Sequence, residues 1–287
     1  MIRLQYVIKV ATTVKAFLTE HHYSKKSLSA IKQNGALIVN HWPVTVREPL
    51  KPGDILEVTL PEETRSPYLI PSALPVEILY DDPMLIIVNK PSGMNTIPSQ
   101  LHPHDSLIEA VYGYLERKTF DYSVLHPVSR LDRNTSGIVV FAKHQLFHHL
   151  LTNKIEKNYL LMCVGKVKYS GNVCMPIARA EDSIITRMVS IDGQSARTEY
   201  QRIQYDTVHD ISCVKVKLHT GRTHQIRVHF QAIGHPLLGD TLYGENTLLD
   251  RQALHAHKVT FNHPFTNEKI NVECPLPKDF SPFFDVL

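Results

Sequence analysis

The chain never settles into a strand-helix-strand rhythm, and that excludes more folds than any other property it has. From Ile138 onward its apolar residues gather in short runs that read as strands: Ile138 to Phe141, Tyr159 to Val164, Arg197 to Ile203 and Ser212 to Leu218. In the last of these, Val214, Val216 and Leu218 alternate with Cys213, Lys215 and Lys217, the period of two that a half-buried strand imposes. A doubly wound parallel sheet needs a crossover helix after nearly every strand. Few helices are predicted here. Ser106 and Glu109 have capping-box spacing ahead of Val111 and Leu115, which marks one helix. A second runs from His224 to Ile233, with Ile226, Phe230 and Ile233 inward and Gly234 as its stop, a common C-terminal signal. Further strands are expected at Val76 to Tyr80 and Leu85 to Val88, across an Asp81-Asp82-Pro83 turn, and His255 and His257 read as one face of a strand. The pattern predicts an α+β fold with a mixed, mostly antiparallel sheet.

The front of the chain reads differently. Val14, Phe17 and Leu18 recur at helical spacing between Thr13 and His22, and Ser24 caps a second helix with Leu28 and Ile31 inward and Lys25, Lys26 and Lys32 outward, ending near Gly35. Small strands are expected at Ala36 to Val39, Val44 to Val46 and Ile55 to Leu60, with turns at Asn40-His41 and Pro52-Gly53-Asp54. This layout resembles an S4-type RNA-binding module, with a structural lid or a dimerisation domain as the alternative. Residues 1 to 62 carry eight Lys or Arg against five Asp or Glu, whereas residues 63 to 287 carry 23 of each. The excess positive charge therefore lies at the front, where it favours a polyanion contact or makes an ordinary solvated face. Four prolines and two serines between Pro61 and Pro75 read as a linker. The expected organisation is an S4-like domain at 1–62, a linker at 63–75 and a catalytic domain at 76–287.

Cys163, Cys174, Cys213 and Cys274 form no Cys-x-x-Cys pair, so neither a disulfide framework nor a structural zinc site is indicated. Met1 to Val10 has no long apolar core, and no later stretch approaches the span of a bilayer. A cytoplasmic protein with no membrane contact fits best. Among 17 histidines, His148-His149, His255-x-His257 and His102-x-His104-Asp105 are the metal candidates, none with a third ligand at standard spacing, so no metal is expected. Gly-rich dinucleotide turns and phosphate-binding Walker loops are absent too, and no cofactor is expected.

One run concentrates chemistry. Ser129-Arg130-Leu131-Asp132-Arg133-Asn134-Thr135-Ser136-Gly137-Ile138 sets an aspartate between two arginines and then enters an apolar strand. Guanidinium forks orient such a carboxylate, which can act as nucleophile, base or selector; a surface ion pair in a turn is the plain alternative. Residues 130–137 with Phe141-Ala142-Lys143 resemble the signature of RluA-type RNA pseudouridine synthases. So do Thr220-Gly221-Arg222-Thr223-His224-Gln225-Ile226-Arg227-Val228-His229, running on through Gly234 to Asp240 and to Tyr243-Gly244, as well as Glu156-Lys157-Asn158-Tyr159-Leu160 and Asn89-Lys90-Pro91-Ser92-Gly93. One position departs from that family: Ser129 stands where a histidine usually precedes Arg-Leu-Asp, and the nearest histidine is His126.

The resemblance implies isomerisation of uridines in structured RNA, ribosomal RNA first and transfer RNA second, with no obligate protein partner. It assigns Asp132 as the catalytic carboxylate after base flipping. It also implies that Arg222 reaches across to pair with Asp132, a phosphate clamp being the alternative role, and that Tyr159 stacks on the extracted base and serves in proton transfer, a core tyrosine being the alternative. Arg130, Arg133, His224 and Arg227 are expected on RNA phosphates or bases, with Lys25, Lys26 and Lys32 adding contacts at the front. Two other classes stay open. One is a non-catalytic RNA-binding or ribosome-assembly protein on the same fold. The other, ranked last, is a hydrolase built on Asp132 with His224 or His126, for which no nucleophile elbow exists.

Overall fold

The computed structural model describes residues 2–119, 123–245 and 248–280. Its front unit is a four-stranded antiparallel sheet in the order β1 (Arg3–Val7), β6 (Ile55–Thr59), β3 (Ala36–Val39), β4 (Trp42–Pro43), beside a two-residue pairing of β2 (Thr12–Thr13) with β5 (Pro49–Leu50). Helices α1 (Val14–Glu20) and α2 (Lys25–Asn34) cover it. Ser24 caps α2 by accepting from the Ser27 N–H at 3.0 Å, and Leu28 and Ile31 are buried while Lys25, Lys26 and Lys32 stay exposed. The strand expected at Val44 to Val46 is not there. Asn40 and His41 adopt positive φ, which closes the hairpin at once, so its return strand is Trp42–Pro43 and the next pairing waits until Pro49.

Residues 61–75 lie in no helix or strand, yet they are pinned to the following unit. Ser72 N donates to the Glu109 carbonyl at 2.9 Å, and Arg65 pairs with Glu116 at 2.5 Å while stacking on Tyr112 at 4.7 Å. Glu63 sits 2.9 Å from His126 Nε2 and accepts from the N–H of Gln145.

The large sheet runs β12 (Ser170–Val173), β15 (Thr198–Asp206), β16 (Ile211–Leu218), β11 (Glu156–Val164), β17 (Leu254–Asn262), β10 (Ser136–Ala142), β8 (Leu85–Lys90), β7 (Glu77–Asp81), with β18 (Lys269–Glu273) on β17 and β9 (His126–Pro127) on β10. Every pairing is antiparallel except β10 with β17, parallel over Ser136↔His255 and Gly137↔Ala256. The sheet is therefore mixed and mostly antiparallel. A hairpin of β13 (Ile177–Arg179) and β14 (Arg187–Val189) stands apart from it.

Alternation assigns the two faces. Ile86, Val88, Val139 and Phe141 pack against α3 (Leu107–Tyr114), while Leu85, Ile87, Val140, Leu161 and Val214 join Ile226 and Phe230 of α5 (Gln225–Ala232). Because β8 and β10 are covered on both faces, they read as unbroken apolar runs. Glu109 closes the expected capping box at α3, accepting from the Ser106 N–H at 3.0 Å. Helix α4 (Gln145–Leu151) carries no standard start signal; His144 Nδ1 accepts the Leu146 N–H instead.

Candidate active site

The two halves of the sheet meet at the parallel pairing, and the loop that delivers Asp132 leads directly into it. Gly137 makes the approach possible. Its φ is +108°, and a Cβ there would lie 2.3 Å from the Ala256 carbonyl oxygen; only glycine tolerates both. Thr135 N donates to the Asp132 carbonyl, and Ser129 Oγ accepts the Val140 N–H, so Ser129 fastens this loop to β10. On the other flank, the fully buried Lys90 donates to the carbonyls of Pro91, Met94 and Arg133 at 2.9, 2.7 and 2.9 Å. Burial pushes the Lys90 amine down to about 7, the charge of Asp132 acting against it.

Asp132 sits on the wall of a cleft of about 960 Å³ that is also lined by Arg130, Arg133, Tyr159, Arg222, His224 and Arg227. Its side chain keeps a quarter of its exposure. Tyr159 projects from the face of β11 that Leu161 and Cys163 share, toward α5. Burial, reinforced by Asp132, raises the Tyr159 hydroxyl's pKa, so this ring stays neutral.

The partner of Asp132 differs from the expectation. Arg222 lies in the turn before α5, is exposed, and donates Nε to the Ser195 carbonyl at 3.0 Å. The pairing falls to Arg227, whose Nη1 donates to Asp132 Oδ2 at 3.0 Å. Arg227 is on the inner face of α5 and 5% exposed, and its Nε and Nη2 are held by the wholly buried Asp240, each at 2.7 Å. Arg227 is thus fixed by a fork on one side while presenting an N–H to Asp132 on the other. Arg227, expected on RNA, is held here by Asp240 and Asp132. Arg130 and Arg133 are exposed on the cleft, although Arg133 is engaged by the Gly93 carbonyl and by His102.

Asp240 and Tyr243 were legible as part of a resembling run but carried no assigned role. Tyr243 lies under the Arg227 guanidinium at 5.0 Å, and its hydroxyl sits 2.8 Å from His224 Nδ1. His224 Nε2 is 3.8 Å from Asp132 Oδ2. No spacing rule links residue 240 to a helix that ends at 232; the loop between them has to be seen. Of the histidines considered for metal, His255 Nδ1 meets Ser136, His257 Nδ1 meets the Cys274 carbonyl, His102 meets Arg133 and His104 lies against Glu109. Among the described residues no helix is long and apolar enough to cross a membrane.

A carboxylate anchored on a buried guanidinium lies here beside a neutral aromatic ring, in an open cleft edged by arginines, the groups that attack on a nucleotide would use. Residues 84–232 match the family model described as RNA pseudouridylate synthase. The chain is 40% identical to a Bacillus subtilis protein named uncharacterized RNA pseudouridine synthase YjbO, over 94% of this chain and 97% of that one. With the ribosomal large subunit pseudouridine synthase D of Neisseria meningitidis it shares 29% identity, over 92% of this chain and 75% of the other. The solved structure of human RNA pseudouridylate synthase domain containing 4 has the same fold, with a TM-score of 0.58 at 24% identity over 73% of this chain and 92% of that one. The chain belongs to the RNA pseudouridylate synthase family. It is an isomerase that converts uridine to pseudouridine in RNA.

Proposed function

We propose that the substrate is ribosomal RNA, modified in the cytoplasm, and that Asp132 is the catalytic carboxylate. The observation that carries the reading is the Asp132–Arg227 contact at 3.0 Å on the wall of the cleft, beside Tyr159. Uridine isomerisation breaks the glycosidic bond, turns the base and joins its C5 to the sugar, with no net oxidation and no donor. It needs a placed carboxylate as nucleophile or base and a surface that holds the detached base. Asp132 fills the first part and the Tyr159 ring the second. The uridine reaches them flipped out of its helix, at a cost of a few kcal/mol that strand contacts offset. Arg130, Arg133 and Arg222 supply such contacts along the cleft, as phosphate-binding groups.

Residues 1–62 act in this reading as an S4-like RNA-binding domain, 63–75 as its connection and 76–287 as the catalytic domain. Support comes from the exposed Lys25, Lys26 and Lys32 on α2. For ribosomal RNA, the support is the name carried by the Neisseria meningitidis relative. Pseudouridine mapping of total RNA from cells with and without the gene tests the substrate: loss of one or a few ribosomal sites is expected, and an unchanged ribosomal map would refute it.

A further inference from the structure

The β13–β14 hairpin is connected to Asp132 by a path separate from the ion pair. The Arg187 backbone N–H of β14 donates to the Tyr243 hydroxyl at 2.8 Å, that hydroxyl lies 2.8 Å from His224 Nδ1, and His224 Nε2 faces Asp132 Oδ2 at 3.8 Å. Tyr243 is not free to drift. Asp240 Oδ1 accepts its backbone N–H, Arg227 covers its ring, and Ile177, Val189 and Val228 pack around it.

A phenol has one proton to give. Because the Arg187 N–H already points at its oxygen, Tyr243 satisfies both neighbours by donating that proton to Nδ1. The imidazole proton then resides on Nε2, aimed at the carboxylate. His224 holds this pose from a left-handed backbone, φ +58°, immediately before α5. Such a conformation is uncommon for a residue with a side chain and persists only where the surroundings enforce it.

We infer that His224 is a positioning residue, fixed by Tyr243 as the neutral Nε2–H tautomer, that orients the Asp132 carboxylate alongside Arg227 and couples the β13–β14 hairpin to it. The inference rests on Asp132 being the catalytic carboxylate. The 3.8 Å separation is one that closes to a hydrogen bond when substrate fills the cleft. Groups facing His224 are Asp132, Arg227, Arg187, Asp240 and Tyr243. Burial lowers the imidazole's affinity for a second proton, with Asp132 acting against and Arg227 and Arg187 acting with it. A second proton on Nδ1 would turn away the Tyr243 donor and break the path.

The test uses the full chain with Tyr243→Phe, His224→Ala, His224→Asn and Asp132→Asn. Without RNA, ¹⁵N NMR of the histidine rings, with the His224 signals assigned by their loss in His224→Asn, reads the tautomer. With RNA from cells lacking the gene, single-turnover pseudouridine formation is followed across acid to alkaline buffers, and RNA affinity is measured separately. We expect a Nε2-protonated ring in the wild type. Tyr243→Phe should slow the single-turnover rate about tenfold, leave RNA affinity unchanged and move the acid limb of the profile to higher pH. His224→Asn, which tolerates the backbone and keeps an N–H, should recover part of the rate lost in His224→Ala. A ring protonated on Nδ1, a wild-type rate and profile in Tyr243→Phe, or a loss wholly in affinity would each overturn the inference. Retained activity in Asp132→Asn would instead overturn the catalytic reading itself, which the tautomer measurement does not address.

Discussion

Asp240 grips Arg227 at two points, Nε to Oδ2 and Nη2 to Oδ1, both 2.7 Å, and so leaves Nη1 as the one N–H that meets Asp132, at 3.0 Å. The grip is buried: the side chains of Asp240 and Arg227 are 0% and 5% exposed. Removing one member of such a pair strands the other charge, at about 3–5 kcal/mol. Asp240→Ala should therefore lower the thermal midpoint and cut activity together. Arg227→Lys, which keeps the charge but not the fork, should lose activity with a smaller loss of stability. Thermal denaturation beside activity assays checks both.

Gly137 is predicted to be nearly irreplaceable. Alanine there meets the Ala256 carbonyl oxygen at 2.3 Å and is forced to φ +108°, which costs about 3 kcal/mol or more unless β10 and β17 separate. Chemical denaturation of Gly137→Ala should show that loss, and a midpoint equal to wild type would contradict the close approach.

Stability should fall on mild acidification. Burial holds His144, His148, His224 and His229 below the ordinary histidine value and pushes His255 down to about 4. Below about pH 6.5 the unfolded chain binds protons that these folded histidines refuse, so stability rises with pH across that window and is lost as pH falls. For His255 alone the linkage between about 6.5 and about 4 corresponds to about 3 kcal/mol. Melting curves through this range should show the decline, with a shallower slope in His255→Gln; identical slopes would contradict it.

If α2 contacts RNA, Lys25, Lys26 and Lys32 act through phosphates. Replacing all three with glutamine should reduce the slope of log affinity against log salt by about two to three units, since each phosphate contact contributes somewhat under one. An unchanged slope would place the RNA elsewhere.

Much of this architecture was readable in residues because it depends on local pattern. Alternation along Ser212–Leu218, the Ser106–Glu109 box and the apolar face of α5 all act within a few residues. What could not be read depends on distant backbone. Arg222 and Arg227 stand in one run, and which of them meets Asp132 is settled by the direction of α5 and by Asp240 on the loop beyond it. The short parallel pairing of β10 with β17 joins segments about 120 residues apart, as Ser136↔His255 shows. Irregular residues 61–75 look like a free linker by composition, and their attachment to Glu109, Glu116 and His126 emerges only in three dimensions. Helix α4 was missed because its start relies on His144, a residue outside the usual capping set.

The most direct measurement is single-turnover pseudouridine formation by Asp132→Asn on RNA from cells lacking the gene, with the variant's fold and RNA affinity measured in parallel. The change removes the carboxylate and keeps its shape. The account predicts a folded protein that binds RNA as the wild type does and isomerises uridine slower by on the order of 10⁴-fold. Pseudouridine formed at the wild-type rate by that variant would contradict the central role of Asp132.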